Sequence, residues 1–426
     1  MPKTLVNEID NTSGASSSSL TNTVYIPGGI ARKVTEGNIE YTFTQLEGEH
    51  TESELLPHLL TSAADLDALV EGFGAIYSHD ESGTVTTVTK PVAPAHRISY
   101  ALAKYLLNNG CYVLFQIVIT DGEDAWNTRF EEIKDKGLYD PKFLCMGEYA
   151  EGTYDLSGLI GVAERRGDCI ALIDHPSTLK NSSEVHNWMI SVNSSYAAAF
   201  SPWCSNTMYN SGTKANPVYP LLPPSFSFLA TYANSIKSNP AWLSAAGAFR
   251  GAVPGLVKVG IKYGEKDIDI LQNRVTTYSG GQESFGEGDN VGVSCNPICN
   301  IEPFGIIVWG NRTGLLNGAD GLKATSFLNI RNLACDVKKT MWKAARRYTF
   351  EQNTLRLWLN FCSQIRPLLD QAKTGEGISA YKFVQEETSA KARLKARVII
   401  VPIEAVEDFE LSFVLDDSVE TEESVG

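Results

Sequence analysis

Three times in this chain a helix-like segment runs into a short apolar strand, and that alternation restricts the fold more than any other feature. Residues 99–109 (SYALAKYLLNN) have helical character and stop at Gly110, and residues 111–120 (CYVLFQIVIT) follow as a nearly unbroken apolar run. Such a run marks a strand buried on both faces. The pattern recurs where GLIGVAERRG leads into DCIALID (158–174), and again where a helix over 183–194 leads into YAAAFSPW (196–203). Helices alternating with doubly buried strands predict an α/β layer with a mainly parallel sheet.

Around this layer the chain changes character. Residues 4–10 (TLVNEID) have strand character and precede a polar low-complexity linker, 11–19 (NTSGASSSS). A strand over 23–30 (TVYIPGGI) ends in a Pro-Gly-Gly turn. Residues 62–73 read as a helix with Ser62 as N-cap, ended by Gly74, and 84–89 (TVTTVT) alternate as a strand does. After the Pro-rich stretch 217–224 a helix is expected around 226–238. Residues 266–275 read as helical or extended, 279–292 as a Gly/acidic loop, and 301–309 (IEPFGIIVW) as a strand.

The C-terminal quarter is different again. A helix over 329–353 has apolar residues at Ile330, Leu333, Ala334, Val337, Met341, Ala344, Ala345 and Tyr348, a stripe that docks one face on a core. A second helix, 354–373, repeats the stripe at Leu355, Trp358, Phe361, Ile365 and Leu369, with Pro367 expected to bend it. Strand-like runs follow at 396–406 (ARVIIVPIEAV) and 408–415 (DFELSFVL). In the last, Phe409, Leu411, Phe413 and Leu415 alternate with Glu410, Ser412 and Val414.

Length and charge bound the function. A chain of 426 residues is too long for one core, so two or three domains are expected. No apolar run reaches the ~18 residues of a membrane span, and the N-terminus has no apolar stretch behind a basic start, so no secretory signal is expected. Eight sparse cysteines suit reduced thiols in a cytosol. The net charge of −14 argues against general nucleic-acid binding. It is uneven: residues 331–366 carry +6, leaving −20 elsewhere. That basic helix reads either as a solvated face or as a surface that docks on an acidic protein. The run after Val414 is acidic.

Catalytic signals are few. Asp174 and His175 end an apolar strand, a place where α/β folds keep functional residues, with Glu184 and His186 on the next helix. Against an acid/base or metal role stands the reading of Asp174 as a turn cap before Pro176. Cys295 and Cys299 have C-x₃-C spacing, but no second Cys/His pair follows, so buried thiols compete with a structural metal. The glycine-rich loop 279–292 has no G-K-[ST] ending, and its Glu283, Glu287 and Asp289 would repel a phosphate. Neither G-x-S-x-G nor H-E-x-x-H occurs. The residues make no case for an enzyme.

Several segments, in order, resemble the sheath proteins of contractile tails, as found in phage tails, phage-derived bacteriocins and related contractile injection systems. LVNEID (5–10) and the Ser-rich stretch are similar to the family's N-terminal arm, without its PGVY start. TSAADLDALVEGFG (61–74) is similar to S-x-x-x-F-x-x-x-FG, with Leu66 and Leu69 in place of the usual aromatic. Residues 100–118 look like the family's helix, turn and strand. RGDCIALIDHP (166–176) resembles the strand ending in DxP, and SYAAAFSPW (195–203) resembles YAALYYPW. NPICNIEPFGIIVWGNRT (296–313) resembles the N-x-I…VWG-x-RT junction. Residues 327–353 and Trp358 onward follow the C-terminal module.

The resemblance implies an α/β (α+β overall) multidomain sheath subunit: a mainly parallel α/β layer, a C-terminal helix pair with β-strands, and extended N- and C-terminal β-arms. The corresponding division is 1–20 arm and linker, 21–95 first strand and a small outward-facing insertion, 96–300 middle domain, 301–405 inner module, and 406–426 C-terminal arm and acidic tail. It implies a helical homo-polymer around an inner tail tube, contracting to drive that tube through a target envelope. Baseplate and tail-terminator proteins are the further partners, with no nucleic acid, no direct membrane insertion and no cofactor. Lys338, Lys339, Lys343, Arg346 and Arg347 match the inner-tube contact. Leu5, Val6, Glu8, Ile9, Phe409, Leu411, Phe413 and Leu415 match the arms that add strands to neighbours. The place would be the bacterial cytoplasm during assembly and then a virion tail or phage-like particle. The competing readings are an α/β enzyme using Asp174 and His175, or a non-contractile shell or binding protein.

Overall fold

The computed structural model describes residues 22–31, 33–36, 39–43, 55–71, 76–79, 85–88, 97–120, 123–151, 156–273, 276–279, 282–285, 292–318, 321–387 and 393–404. Both terminal stretches read as arms, with Leu5, Val6, Glu8, Ile9, Phe409, Leu411, Phe413 and Leu415, lie outside these residues.

The chain begins with β1 (Thr23–Ala31), β2 (Lys33–Glu36), β3 (Ile39–Phe43), β4 (His58–Leu60), α1 (Ala63–Glu71), β5 (Ile76–His79) and β6 (Val85–Val88). Next come α2 (Arg97–Asn108), β7 (Tyr112–Thr120), α3 (Glu123–Glu132), β8 (Phe143–Cys145), α4 (Ser157–Arg166), β9 (Ile170–Asp174), α5 (Ser182–Met189) and β10 (Ala197–Ser201). Then follow β11 (Cys204–Asn206), β12 (Leu221–Leu222), α6 (Pro224–Ser235), α7 (Gly247–Arg250), β13 (Leu256–Val259), α8 (Glu265–Gln272), β14 (Thr276–Ser279), β15 (Gln282–Phe285), β16 (Asn296–Ile301) and β17 (Gly305–Val308). The last elements are α9 (Leu328–Arg347), α10 (Leu355–Thr374), β18 (Ile378–Glu386) and β19 (Lys395–Pro402).

An eight-stranded sheet in the order β17-β16-β10-β9-β8-β1-β7-β4 forms the centre. Its six inner strands are parallel, and antiparallel β17 and β4 close the two edges. This mixed α/β architecture follows from the helix–strand alternation. Period two in the strands sorts their side chains onto two cores. Val113, Phe115 and Ile117 of β7 join Val24, Phe143, Leu172 and Phe200 under α2 and α6. Leu114 and Val118 join Tyr25, Leu144, Ile173 and Ala199 under α3, α4, α5 and α8. A third core lies between α9, α10 and the β18–β19 hairpin, built on Leu333, Val337, Phe361, Ile365 and Leu369. β2, β3, β5 and β6 form a separate four-stranded antiparallel sheet.

Local chemistry fixes several ends. Ser62 caps α1 reciprocally: its hydroxyl accepts the Asp65 N–H at 3.2 Å, and the Asp65 carboxylate accepts the Ser62 N–H at 3.0 Å. Gly110, at φ +82°, turns the chain from α2 into β7. Thr354 accepts the Leu357 N–H at the start of α10, which continues through Pro367 to Thr374.

Several expectations need correction: β1 runs on through Pro27, Gly28 and Gly29, each paired with β7, where a turn was expected, and α9 stops at Arg347 rather than reaching residue 353. Residues 301–309 are not one strand: β16 ends at Ile301 and β17 starts at Gly305, paired antiparallel around a tight turn. The loop expected from Ser279 begins instead in a hairpin, Ser279 pairing with Gln282. The helix expected over 183–194 stops at Met189. Residues 378–386, ISAYKFVQE, form a further strand, β18, where the sequence pattern marked none.

Candidate functional site

α9 is held from two sides, and that decides which of its charges are available. Its apolar stripe packs against α10 in the third core. On another flank it meets the short run 140–142 before β8. Lys142 Nζ lies 2.7 Å from Asp336 Oδ2, with both side chains sealed from solvent at 1% and 3% exposure. Burial opposes the charge on Lys142, but the Asp336 carboxylate dominates and holds its pKa above the ordinary lysine value. Lys339 Nζ donates to the Pro141 carbonyl at 2.6 Å and lies 2.8 Å from Asp140; Lys343 reaches the other Asp140 oxygen at 2.7 Å. Burial would raise the Asp140 pKa, yet the two ammonium groups overcome it and hold the carboxyl at about 2.

The five cations singled out in the sequence therefore divide. Lys339 is buried, and its charge is matched within the chain. Lys343 is half-exposed and shares Asp140. Lys338, Arg346 and Arg347 are exposed and rest on neutral groups: Lys338 on the Tyr196 ring and hydroxyl, Arg346 over Trp342 at 4.9 Å, Arg347 near the Gln364 amide at 3.4 Å. The surface that α9 offers is thus narrower than its charge count. The ion pairs at 140–142 leave no mark on the sequence, because Asp336 and Lys142 lie 194 positions apart and carry no local signal of each other.

The β18–β19 hairpin is the second open feature. Eight residue pairs join the two strands, and no third strand flanks them among the described residues. Tyr381, Phe383, Ala396, Val398 and Ile400 face the third core. The opposite face carries Ile399 at 42%, Val401 at 48% and, just beyond, Ile403 at 41% exposure, so apolar groups stand exposed on a sheet whose outer edges have no partner among the described residues.

Asp174 and His175 are placed differently from a catalytic pair. The Asp174 carboxylate accepts both the backbone N–H and the hydroxyl of Ser225, each at 2.7 Å, and so caps the first turn of α6. Burial pushes its pKa up to about 7, with the Ser225 hydrogen bonds pulling the other way. His175 Nε2 is 2.9 Å from the Ser201 hydroxyl, which is 2.7 Å from the Tyr263 hydroxyl, and the Trp203 indole donates to the His175 carbonyl. Burial drives its pKa down to about 4. At 2% and 1% exposure, both residues are inside the fold. Glu184 accepts the Lys180 N–H at the start of α5, and Cys295 and Cys299 are buried free thiols of the sheet region. Among the described residues no group of three or more His, Cys, Asp or Glu is placed to hold a metal. No described helix is long and apolar enough to cross a membrane.

No protein-family model matches the sequence. No curated protein matches it either. Solved structures do. The sheath complex of an extracellular contractile injection system (PVC), in its contracted state, matches with TM-score 0.59 at 16% identity, over 98% of this chain and 98% of that one. A chain of the anti-feeding prophage (AFP) baseplate matches with TM-score 0.58 at 15% identity, over 98% of this chain and 99% of that one. At such identities the likeness is one of fold, and it extends over 98% of this chain.

Proposed function

We propose that this chain is the structural subunit of a contractile sheath, polymerising helically around an inner tube and contracting to drive it through a target envelope. The observation that carries the proposal is the end-to-end match of fold to a sheath subunit, at 98% coverage of both chains. The open β18–β19 hairpin supports it, since a two-stranded sheet with free edges and exposed Ile399 and Val401 suits completion by strands from other subunits. In this reading the arms of neighbouring copies, through Leu5, Val6, Glu8, Ile9, Phe409, Leu411, Phe413 and Leu415, supply those strands. Lys338, Lys343, Arg346 and Arg347 face the inner tube, and Lys339 holds α9 in place. Baseplate and terminator proteins bound the polymer, which assembles in a bacterial cytoplasm and belongs to a phage tail or phage-like particle. The subunit is not an enzyme: Asp174 serves α6 and His175 serves the Ser201–Tyr263 network.

Electron microscopy of the purified protein tests the proposal. Striated hollow tubes are the expected result; discrete monomers that persist at high concentration would overturn it. Deleting residues 1–11 should abolish the tubes while leaving the fold intact by circular dichroism. Tubes formed by the deleted chain would contradict the arm assignment.

A further inference from the structure

The turn that joins α9 to α10 holds a strained aromatic residue that buries nothing in its own chain. Phe350 sits there at φ +75°, a left-handed backbone that glycine or asparagine adopts far more readily than an aromatic residue. Its side chain is 100% exposed, so no packing within the chain offsets the strain. Positions of this kind cluster where a side chain is aimed at a ligand or a partner.

The same turn borders a groove of about 600 Å³ between α9, α10 and the start of β19. Met341, Trp342, Tyr348 and Phe361 make the groove apolar, and Phe350 and Glu351 stand at its mouth with Lys136 and Lys338. A volume within the ~300–1,000 Å³ range of ligand pockets has room for an aromatic side chain. The charges at the mouth are unmatched. Arg166 and Asp168 pair with each other at 3.0 Å, and Asp140 serves Lys339 and Lys343. Lys338 rests on the Tyr196 ring and hydroxyl, and among the described residues no carboxylate meets Lys338 or Lys136. Nor does any described cation meet Glu351.

One chain thus presents a knob, Phe350 followed by Glu351, beside a hole with an apolar floor and a cationic rim. Because knob and hole share one face, two copies related by a twofold axis fill each other's grooves. Each ring would then lose on the order of 150–250 Å² of exposed surface. The free carboxylate that follows it would meet the free ammonium groups across the contact.

We propose that two copies of this chain pair through their α9–α10 turns, Phe350 of each in the groove of the other and Glu351 of each against Lys338 and Lys136 of the partner subunit. In the sheath reading such a pair covers part of the α9 surface until the subunit joins the polymer. That consequence rests on the sheath reading; the pairing does not.

Sedimentation velocity of the full-length chain, with any tubes first pelleted, tests it. A concentration-dependent dimer is expected of the parent. Phe350→Asn suits the left-handed backbone, so its melting temperature should match or exceed the parent's while the dimer weakens about tenfold. Lys338→Glu and Glu351→Lys should each weaken the dimer. An equal mixture of these two variants sets opposite charges together at both contacts and should restore it. A parent chain that does not dimerise, a dimer unmoved by Phe350→Asn, or a mixture no tighter than either variant alone would overturn the proposal. Tubes in the electron microscope bear on the sheath reading alone, so the two readings fail separately.

Discussion

The eight-stranded sheet and the β18–β19 hairpin are both β-structure, yet they satisfy opposite requirements. Every described side chain of β9 and β10 is buried, and each of these strands has a partner on both sides. In β18 and β19 half-buried and exposed positions alternate, and each strand has one partner among the described residues. The sheet gains its stability inside the subunit, from two cores and a full ladder. Among the described residues the hairpin leaves apolar area and hydrogen-bonding edges unpartnered, and a two-stranded sheet of this kind is marginal without support. Here α10 supplies that support on one face only. The contrast teaches that the fold separates what keeps its own shape from what it leaves exposed.

The largest test of that separation lies at the seam between the two regions. Asp336→Ala would leave Lys142 charged and buried, and should destabilise the chain by about 3–5 kcal/mol. Replacing both residues with apolar ones of similar volume should recover most of this loss. Denaturant titration measures both, and a small effect of the single change would mean that the seam is open to water.

The next test concerns the sealed layer and its pH response. Asp174 holds a folded-state pKa of about 7 against 3.8 for the free group, so native protein keeps a proton that unfolded chain has released between those values. Its contribution is fully present below about 3.8 and is lost as pH rises toward 7. His175 runs the other way: at about 4 in the fold against 6.5 free, its contribution is lost as pH falls from 6.5 to 4. The two slopes oppose each other between about 4 and 6.5. Asp174→Asn removes one of them, so variant stability should climb with pH across that window, by up to about 1.4 kcal/mol per unit. Thermal melts at half-unit pH steps would show it; identical profiles for variant and parent would remove Asp174 from the account.

A smaller effect on stability, with a large one on association, is expected in the hairpin. Val401→Lys changes a half-exposed side chain and should alter unfolding free energy by less than about 0.5 kcal/mol. Sedimentation should nonetheless show assembly lost. If polymers persist, the outward face of β19 is not a contact between copies. A comparably small change in stability is expected of Lys343→Ala. It removes a half-exposed ion pair and should cost no more than about 1 kcal/mol, because Lys339 still holds Asp140. A larger loss in denaturant titration would place Asp140 deeper in the seam than its partial exposure indicates.

The same contrast explains what the sequence made legible. The runs over β7, β9 and β10 were readable because strands covered on both faces need apolar residues at successive positions. α9 and α10 were readable from helical spacing. β18 carries a weak sequence signal because Lys382 and Gln385 interrupt it, as expected of a strand wet on one face. Lys338 and Lys339 are adjacent and chemically alike, and only the distant Asp140 and Pro141 make one exposed and the other buried. Asp174 was read as a local cap before Pro176; it is a cap, but of a helix that begins fifty positions later. Local pattern carried the layers, while pairings across long separations carried the chemistry.

One feature of the sheet has a mechanical consequence. β1 lies between β7 and β8, parallel to both, with nine residue pairs to β7 alone, and it starts one residue after Asn22, whose carbonyl accepts the Tyr112 N–H. Tension arriving through the residues before Asn22 would pull along the axis of β1. The strand would have to slide past two neighbours at once, so its hydrogen bonds would yield together rather than one by one. A hairpin opened from its end unzips pair by pair at far lower force. Strain entering at the N-terminal side would therefore reach the centre of the eight-stranded sheet as a displacement of β1 against both neighbours, not as fraying from its end.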